Sequence, residues 1–146
     1  MINKVLIVDD DNYKAKNIKN LISNVNNNIS IAIEEALNSG LRKIRTHNFD
    51  VVILDMSLPL FNTSESSNFN PFGGISFLKE MRRREIKTPV IIVTQYEIFG
   101  EDESQKTSEM LDEECKENFD NYKGIVIYSS SNNKWKEELV KMIGAI

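Results

Sequence analysis

Aspartates follow two of the most apolar segments of the chain. Asp9 and Asp10 come directly after residues 5–8, and Asp55 comes directly after residues 51–54. Carboxylates a few ångströms apart repel each other, and a hard divalent cation between them removes that repulsion. Mg²⁺ prefers oxygen ligands and typically accepts one or two carboxylates together with waters and a phosphate oxygen. If the fold brings the three aspartates together, their chemistry predicts a Mg²⁺ site that can also receive a phosphate group.

Five short apolar runs alternate with segments that have helical periodicity. The runs predict strands at residues 5–8, 29–33, 51–54, 90–93 and 125–128. Continuous apolar runs of this length are typical of strands that are buried on both faces. Alternation with helices indicates βαβ units, so we predict an α/β fold with a doubly wound, five-stranded parallel sheet in the order 2-1-3-4-5.

The ends of these strands carry the polar residues. Asp9 and Asp10 end the first strand, Asp55 ends the third and Thr94 ends the fourth. Open α/β sheets bind ligands at the carboxyl ends of their strands, and the first and third strands are neighbours in the predicted order, so the three carboxylates should converge. The alternative is that residues 9–11 only cap the first helix, because acidic side chains suit a helix N-terminus.

Composition excludes several classes of function. The chain has 146 residues and a net charge of −4, which suits one domain over 1–146 and leaves no basic surplus for direct nucleic-acid binding. A single cysteine, Cys115, permits no intrachain disulfide, and together with the single His47 it cannot build a zinc site. No apolar run is long enough for a membrane span or a signal peptide, so we expect a cytoplasmic protein.

Three segments carry a family pattern in order and spacing. They are VLIVDDD at 5–11, DVVILDMSLP at 50–59 and TPVIIVT at 88–94. With them the sequence resembles the receiver domains of response regulators in two-component signalling, which have a flavodoxin-like fold. The resemblance covers most of the chain. It implies a receiver that takes part in phosphorelay signal transduction and is not an enzyme beyond Mg²⁺-dependent self-phosphorylation and self-dephosphorylation. Because the chain ends soon after the last predicted helix, we expect a stand-alone receiver unless the sequence is a fragment of a longer protein.

The resemblance also implies roles for individual residues. Asp55 is the expected phosphoacceptor, which takes a phosphoryl group from a histidine kinase or a phosphotransfer protein. Asp9, Asp10, Asp55 and the backbone carbonyl of Ser57 are the expected Mg²⁺ ligands. Thr94 is the expected switch hydroxyl, which meets the new phosphoryl oxygen. The switch is expected to change binding to a downstream protein.

One residue of the family pattern is missing. Receivers carry a lysine at the end of the fifth strand, and this sequence has Tyr128 or Ser129 there. Those two are the candidate replacements, and Gln95 is a candidate for controlling access to Asp55 or positioning a water. The missing lysine motivates an alternative function, a pseudo-receiver that acts as a phosphorylation-independent protein-interaction module. A Mg²⁺-dependent phosphohydrolase is a third, weaker hypothesis, because no residue is well placed as its acid.

Two segments are longer than the family pattern. We predict insertions near 61–72, which is rich in Asn and Ser, and within 95–122, which is strongly acidic. Long loops in compact domains usually have a function or lack fixed structure, and both segments begin at strand ends beside the predicted site. A tolerated insertion without a role is the alternative for the first, and a solvated helix face is the alternative for the acidic run.

Overall fold

The computed structural model describes residues 2–61 and 69–146. Its strands are β1 (Lys4–Val8), β2 (Ser30–Glu34), β3 (Val51–Leu54), β4 (Leu58–Pro59), β5 (Phe69–Asn70), β6 (Val90–Thr94), β7 (Ile98–Phe99), β8 (Lys106–Thr107) and β9 (Tyr122–Ile127). Its helices are α1 (Asn12–Val25), α2 (Leu37–Thr46), α3 (Gly73–Arg83), α4 (Ser108–Asn118) and α5 (Lys134–Gly144), with a 3₁₀ turn at Asp102–Ser104. None of the helices in these ranges has the length and apolar composition needed to cross a membrane.

Five strands form one parallel sheet in the order β2-β1-β3-β6-β9. Counted among these five alone, this is the predicted order 2-1-3-4-5, which is confirmed. Val8 pairs with Leu54 in the register of β1 and β3, so both strands end at the same level of the sheet. The N–H of Asp55 also donates to the Val8 carbonyl over 3.0 Å. Asp9 and Asp55 therefore leave the sheet side by side.

Both faces of the sheet are covered by helices. On one face Leu41 of α2, Phe77 of α3 and Leu111 of α4 belong to one buried apolar cluster. On the other face Ile18 of α1 and Leu139 of α5 belong to a second cluster. This double cover explains why the central strands are continuous apolar runs without the alternation of a half-exposed sheet. It also makes the strand ends the place where polar side chains can reach the surface.

The fifth strand of the sheet begins earlier than the sequence predicts. β9 starts at Tyr122, three residues before the predicted start at 125. The difference arises at Gly124, which has a φ of +145° and lies at an irregularity in the pairing of β9 with β6. Lys123 is exposed, so the first part of the strand lacks the continuous apolar pattern that marks the other strands.

Short two-stranded pairings involve both segments predicted as insertions. β7 and β8 lie within 95–122, and β5 lies within 61–72 with its partner β4 just before that segment. β4 pairs with β5, and β7 pairs with β8, in each case antiparallel. Residues 62–68 of the first segment lie outside the described residues. The second segment continues into α4, where the Thr107 hydroxyl accepts a hydrogen bond from the N–H of Met110 and caps the helix. Two-residue strands are too short to give a periodic sequence signal.

Candidate metal and phosphoacceptor site

Three carboxylates meet at the carboxyl edge of the sheet. One oxygen each from Asp9, Asp10 and Asp55 lies within 4.8 Å of the others. Asp9 and Asp55 are 1% and 5% exposed, and Asp10 faces solvent. The convergence expected from the strand order is therefore present. A cluster of hard oxygen donors that is open on one side suits a cation that keeps some of its waters, as Mg²⁺ does.

Backbone N–H groups orient the two buried carboxylates. The N–H of Asp11 donates to Oδ1 of Asp9 over 2.9 Å, and the N–H of Met56 donates to Oδ1 of Asp55 over 2.8 Å. In each case the donor lies one or two residues after the carboxylate that it contacts. The second oxygens, Oδ2, face a shared space between the two carboxylates.

Lys14 fills that space. Its Nζ lies 2.8 Å from Oδ2 of Asp9 and 3.2 Å from Oδ2 of Asp55, and the side chain is 1% exposed. The sequence contained a signal that we did not use. Lys14, Ile18 and Ile22 recur at helical spacing on the buried stripe of α1, and lysine is almost never fully buried unless it is paired.

The burial of the site perturbs its titratable groups. Burial raises the pKa of Asp9 to about 6, with the Lys14 charge opposing and the Asp55 charge reinforcing the shift. Burial also raises the pKa of Asp55 against the opposing charge of Lys14. Burial, and then the neighbouring Asp9 charge, raise the pKa of Asp10. One ammonium group faces three carboxylates, so the site keeps an excess of negative charge that a divalent cation can neutralise.

The ammonium group itself stays charged. Burial alone lowers the pKa of a lysine, but the charges of Asp55 and Asp9 outweigh it, and the pKa of Lys14 is raised. The result is a permanent positive charge inside the carboxylate cluster. This differs from a buried lysine without acidic partners, which would be neutral at physiological pH.

The remaining predicted site residues are distributed around Asp55. Thr94 is fully buried at the end of β6, and a hydrogen bond from its side chain is among the weaker influences that lower the pKa of Asp55. Its Oγ1 also accepts a long hydrogen bond, 3.4 Å, from the N–H of Tyr96. The Ser57 hydroxyl donates to the carbonyl of Pro71 over 3.3 Å, which directs this side chain toward the β4–β5 region.

The candidate replacements for the strand-five lysine have other partners. The Tyr128 hydroxyl accepts a hydrogen bond from Nδ2 of Asn17 over 2.9 Å, and its ring lies 4.8 Å from that of Trp135. The Ser129 hydroxyl lies 2.9 Å from that of Ser131. Gln95 is exposed, and its Nε2 donates to the Tyr96 hydroxyl. The roles of Tyr128, Ser129 and Gln95 stay predictions.

Comparisons with known proteins agree with this geometry. A family model described as the response regulator receiver domain matches residues 5–110. The chain belongs to the response regulator receiver family. The match includes every strand end that contributes a carboxylate and stops before β9 and α5, the part of the receiver where the lysine is missing.

Two curated relatives span nearly the whole receiver. This chain is 29% identical to the Detocs response regulatory protein DtcB of Enterobacter cloacae, over 96% of this chain and 97% of the relative. It is 33% identical to the uncharacterized protein y4jR of Sinorhizobium fredii, over 91% of each chain. The similarity therefore extends beyond the segment that the family model matches and includes β9 and α5.

Solved structures share the fold. The Francisella response regulator 1452 receiver domain is 27% identical with a TM-score of 0.64, over 97% of this chain and 93% of that one. The chemotaxis protein CheY4 of Vibrio cholerae has a TM-score of 0.68 and is 20% identical, over 100% and 99% of the two chains. The second likeness concerns the fold alone. Together they support the flavodoxin-like architecture predicted from the strand pattern.

Proposed function

We propose that this receiver accepts a phosphoryl group on Asp55 from a histidine kinase or phosphotransfer protein in the cytoplasm, and that this changes its binding to a downstream protein. The observation that carries the proposal is the meeting of Asp9, Asp10 and Asp55, whose oxygens lie within 4.8 Å of one another. They lie at the edge where this fold binds ligands. Membership of the receiver family supports the phosphorelay role.

The donor set fits Mg²⁺. Carboxylate oxygens of Asp9, Asp10 and Asp55, with the backbone carbonyl of Ser57, would hold the ion, and all are hard oxygen ligands. When bound, the ion supplies positive charge that offsets the negative charge of an incoming phosphoryl group. The structure of the response regulator TrrA of Thermotoga maritima is a complex with Mg²⁺ and BeF, and it shares the fold of this chain with a TM-score of 0.64 at 21% identity.

The proposed chemistry is a displacement at phosphorus. An oxygen of the Asp55 carboxylate forms a bond to the phosphorus of a phosphohistidine as the P–N bond breaks, and the imidazole nitrogen keeps the bonding electrons and gains a proton. Such transfers depend mainly on positioning and charge neutralisation. The hydrogen bond from the Met56 N–H holds Asp55 in one orientation, and the charge of Lys14 favours its ionised form.

The proposed switch follows from the change in charge. An acyl phosphate on Asp55 adds about −1.5 to −2 charges and new acceptor oxygens. Thr94 is buried at the adjacent strand end, so its hydroxyl is the predicted switch donor for one of those oxygens. Movement of Thr94 would carry the chain that follows it, including β7, and so alter a surface that a partner protein can read.

Intact-mass measurement after exposure to acetyl phosphate tests the proposal. The wild type should gain the mass of one phosphoryl group only when Mg²⁺ is present, and Asp55→Asn should gain none. Asp120→Asn makes the same chemical change at an exposed position and should behave as the wild type. Equal labelling of Asp55→Asn and the wild type would exclude Asp55 as the acceptor.

The same experiment separates the alternative function. A pseudo-receiver that serves as a phosphorylation-independent interaction module is favoured by the absence of lysine at Tyr128 and Ser129. It predicts that the wild type gains no phosphoryl group under any Mg²⁺ concentration. Labelling of most of the sample with release over time would count against it.

A further inference from the structure

The Lys14 ammonium has hydrogen-bonding capacity that its present contacts do not use. Its two contacts are Oδ2 of Asp9 at 2.8 Å and Oδ2 of Asp55 at 3.2 Å, and among the described residues no third acceptor has hydrogen-bond geometry to Nζ. An ammonium group has three N–H donors. A buried donor without an acceptor is costly, so a charged side chain held in this way is suited to an acceptor that arrives later.

The backbone of Lys14 is fixed beside the site. Asp11 is the N-cap of α1, and its Oδ1 accepts a hydrogen bond from the Lys14 N–H over 3.1 Å. The first turn of the helix is closed by the N–H of Ala15, which donates to the carbonyl of Asp11. Because Asp11 also donates its own N–H to Asp9, the lysine and the metal-site carboxylate belong to one rigid turn.

The end of β9 contacts α1 one helical turn after Lys14. Tyr128 belongs to the buried cluster on the α1 and α5 face, together with Val126 and Trp135. Its hydroxyl meets Asn17, which lies three residues after Lys14 and therefore on the same face of α1. The tyrosine at the family's lysine position therefore bonds to α1, and the ammonium group beside Asp55 comes from the same helix.

We propose that Lys14 replaces the strand-five lysine of receivers, with its ammonium group holding the Asp55 carboxylate and then donating to an oxygen of the phosphoryl group. This inference rests on the proposed function, since it needs Asp55 to be the acceptor. The positive charge reaches the same carboxylate from α1 instead of from β9. One lysine charge therefore lies beside Asp55, as in the family pattern, although the strand carries no lysine there.

Paired binding measurements test this role. Lys14→Met removes the charge with little change in volume, and Lys14→Gln is a second variant that retains N–H donors. Titration calorimetry would measure Mg²⁺ alone, then beryllium fluoride in saturating Mg²⁺ as a probe of the phosphoryl site. We expect Mg²⁺ to bind both variants at least as tightly as the wild type, because a competing cation is gone. Beryllium fluoride should bind both variants about tenfold to a hundredfold more weakly, because neither methionine nor glutamine supplies a charged hydrogen-bond donor.

The opposite responses to the two probes distinguish this role from a structural one. A merely structural lysine would weaken Mg²⁺ and beryllium fluoride together, and that result would overturn the inference. Tighter binding of both probes would mean that Lys14 blocks the site, and it would overturn the inference as well. Lys16→Met makes the same change at an exposed position of α1 and should match the wild type.

The rate of phosphorylation by acetyl phosphate separates the two proposals. If the wild type is labelled on Asp55 and both Lys14 variants are labelled as fast, the role of Lys14 is wrong and the proposed function stands. If the wild type itself is neither labelled nor able to bind beryllium fluoride, the proposed function fails and this inference fails with it. Labelling of the variants that is slower by about tenfold or more, at saturating Mg²⁺, is the expected result.

Discussion

Gly74 packs directly on the backbone of Asp55. A Cβ at this glycine would lie 2.9 Å from the Asp55 carbonyl oxygen and 3.0 Å from Cα of Met56, and the Gly74 N–H donates to the Met56 carbonyl over 2.7 Å. The N-terminus of α3 is thus pressed against the chain that carries the predicted acceptor. The sequence shows only a Gly-Gly pair closing a polar segment. The structure shows that a larger side chain at Gly74 would clash with the backbone of Asp55.

Gly74→Ala should therefore disturb both stability and the site. The added methyl group has backbone atoms as neighbours, so the chain at Asp55 must shift, at a cost of about 1–3 kcal/mol in the free energy of unfolding. Phosphorylation by acetyl phosphate should slow as Asp55 moves. Gly144→Ala is the matched control, because a Cβ there meets nothing within 4 Å. Denaturant unfolding measures the change in stability, and intact-mass kinetics measure the rate of phosphorylation. A Gly74→Ala variant that matches the wild type in both would contradict the packing.

The raised pKa of Asp9 predicts how Mg²⁺ binding depends on pH. A carboxylate must lose its proton to bind the ion, and the pKa of Asp9 is about 6. Mg²⁺ affinity should accordingly fall as the pH drops through about 6, which is above the range expected for an ordinary aspartate. Calorimetric titrations between pH 5 and pH 8 would measure it. An affinity that is constant down to about pH 5 would show that Asp9 titrates normally.

The same group predicts the pH dependence of stability without metal. The folded state holds a proton on Asp9 that the unfolded state releases above pH 3.8, so the contribution of Asp9 favours folding at low pH and is lost as the pH rises toward about 6. Above pH 6, Asp9→Asn should be more stable than the wild type in metal-free buffer, by no more than about 3 kcal/mol. The difference should shrink toward pH 4, and a difference that is constant with pH would contradict the assignment.

Lys14 should stabilise the metal-free protein strongly. Its removal leaves two buried carboxylates without a counterion, and breaking a buried ion pair on one side costs about 3–5 kcal/mol. Lys14→Met should therefore lower the melting temperature in chelator. Saturating Mg²⁺ should restore much of the loss, because the ion supplies the missing positive charge and binds the variant more tightly than the wild type, whose lysine competes with it. Lys16→Met is the control. Thermal unfolding in both buffers tests it, and a loss that Mg²⁺ leaves unchanged would contradict the electrostatic cause.

Tyr128 offers a test of the strand-five replacement. Tyr128→Phe removes the hydroxyl that pairs with Asn17 and keeps the ring beside Trp135. We expect a loss of about 1 kcal/mol in stability and no change in phosphorylation, because the positive charge at the site comes from Lys14. Ser129→Ala should behave in the same way. Slower phosphorylation of either variant would indicate that the strand residue, and not Lys14, replaces the missing lysine.

Much of this receiver could be predicted from its sequence, and the reason is physical. Burial on both faces makes the central strands continuous apolar runs, and the polarity change at Asp9, Asp55 and Thr94 marks their shared edge. The start of β9 was predicted too late, because Gly124 and exposed Lys123 interrupt the pattern. The β4–β5 and β7–β8 hairpins were not predicted, because two-residue strands have no period.

Lys14 was missed for a different reason. Sequence reasoning looked for the missing lysine where the family pattern puts it, at the end of the fifth strand. The apolar stripe of α1 contained the relevant observation, since a lysine at that spacing must find acidic partners or unfold part of the helix. Which partners it finds depends on the sheet register and cannot be derived from the helix alone.

Phe72, which follows β5, meets the β7–β8 hairpin. A Cβ at Gly100 would lie 3.0 Å from the ring of Phe72, and Nζ of Lys106 lies 5.8 Å from the centre of that ring. Gly100 has a φ of +83°, so Gly100→Ala is opposed by both backbone strain and contact. We expect it to cost about 1–3 kcal/mol and to loosen both hairpins. Hydrogen exchange of residues near 72 and 100 measures this, and a change confined to the second hairpin would mean that the two move independently.

The charged groups of the site lie in the N-terminal part of the chain. Within the described ranges, Asp9, Asp10, Lys14 and Asp55 all come from the first 55 residues, and the later strands give this edge the uncharged Thr94 and Tyr128. The C-terminal half therefore contributes shape and contact without setting the local charge balance. Substitutions on its surface can therefore change what the protein binds without changing the charged groups around Asp55.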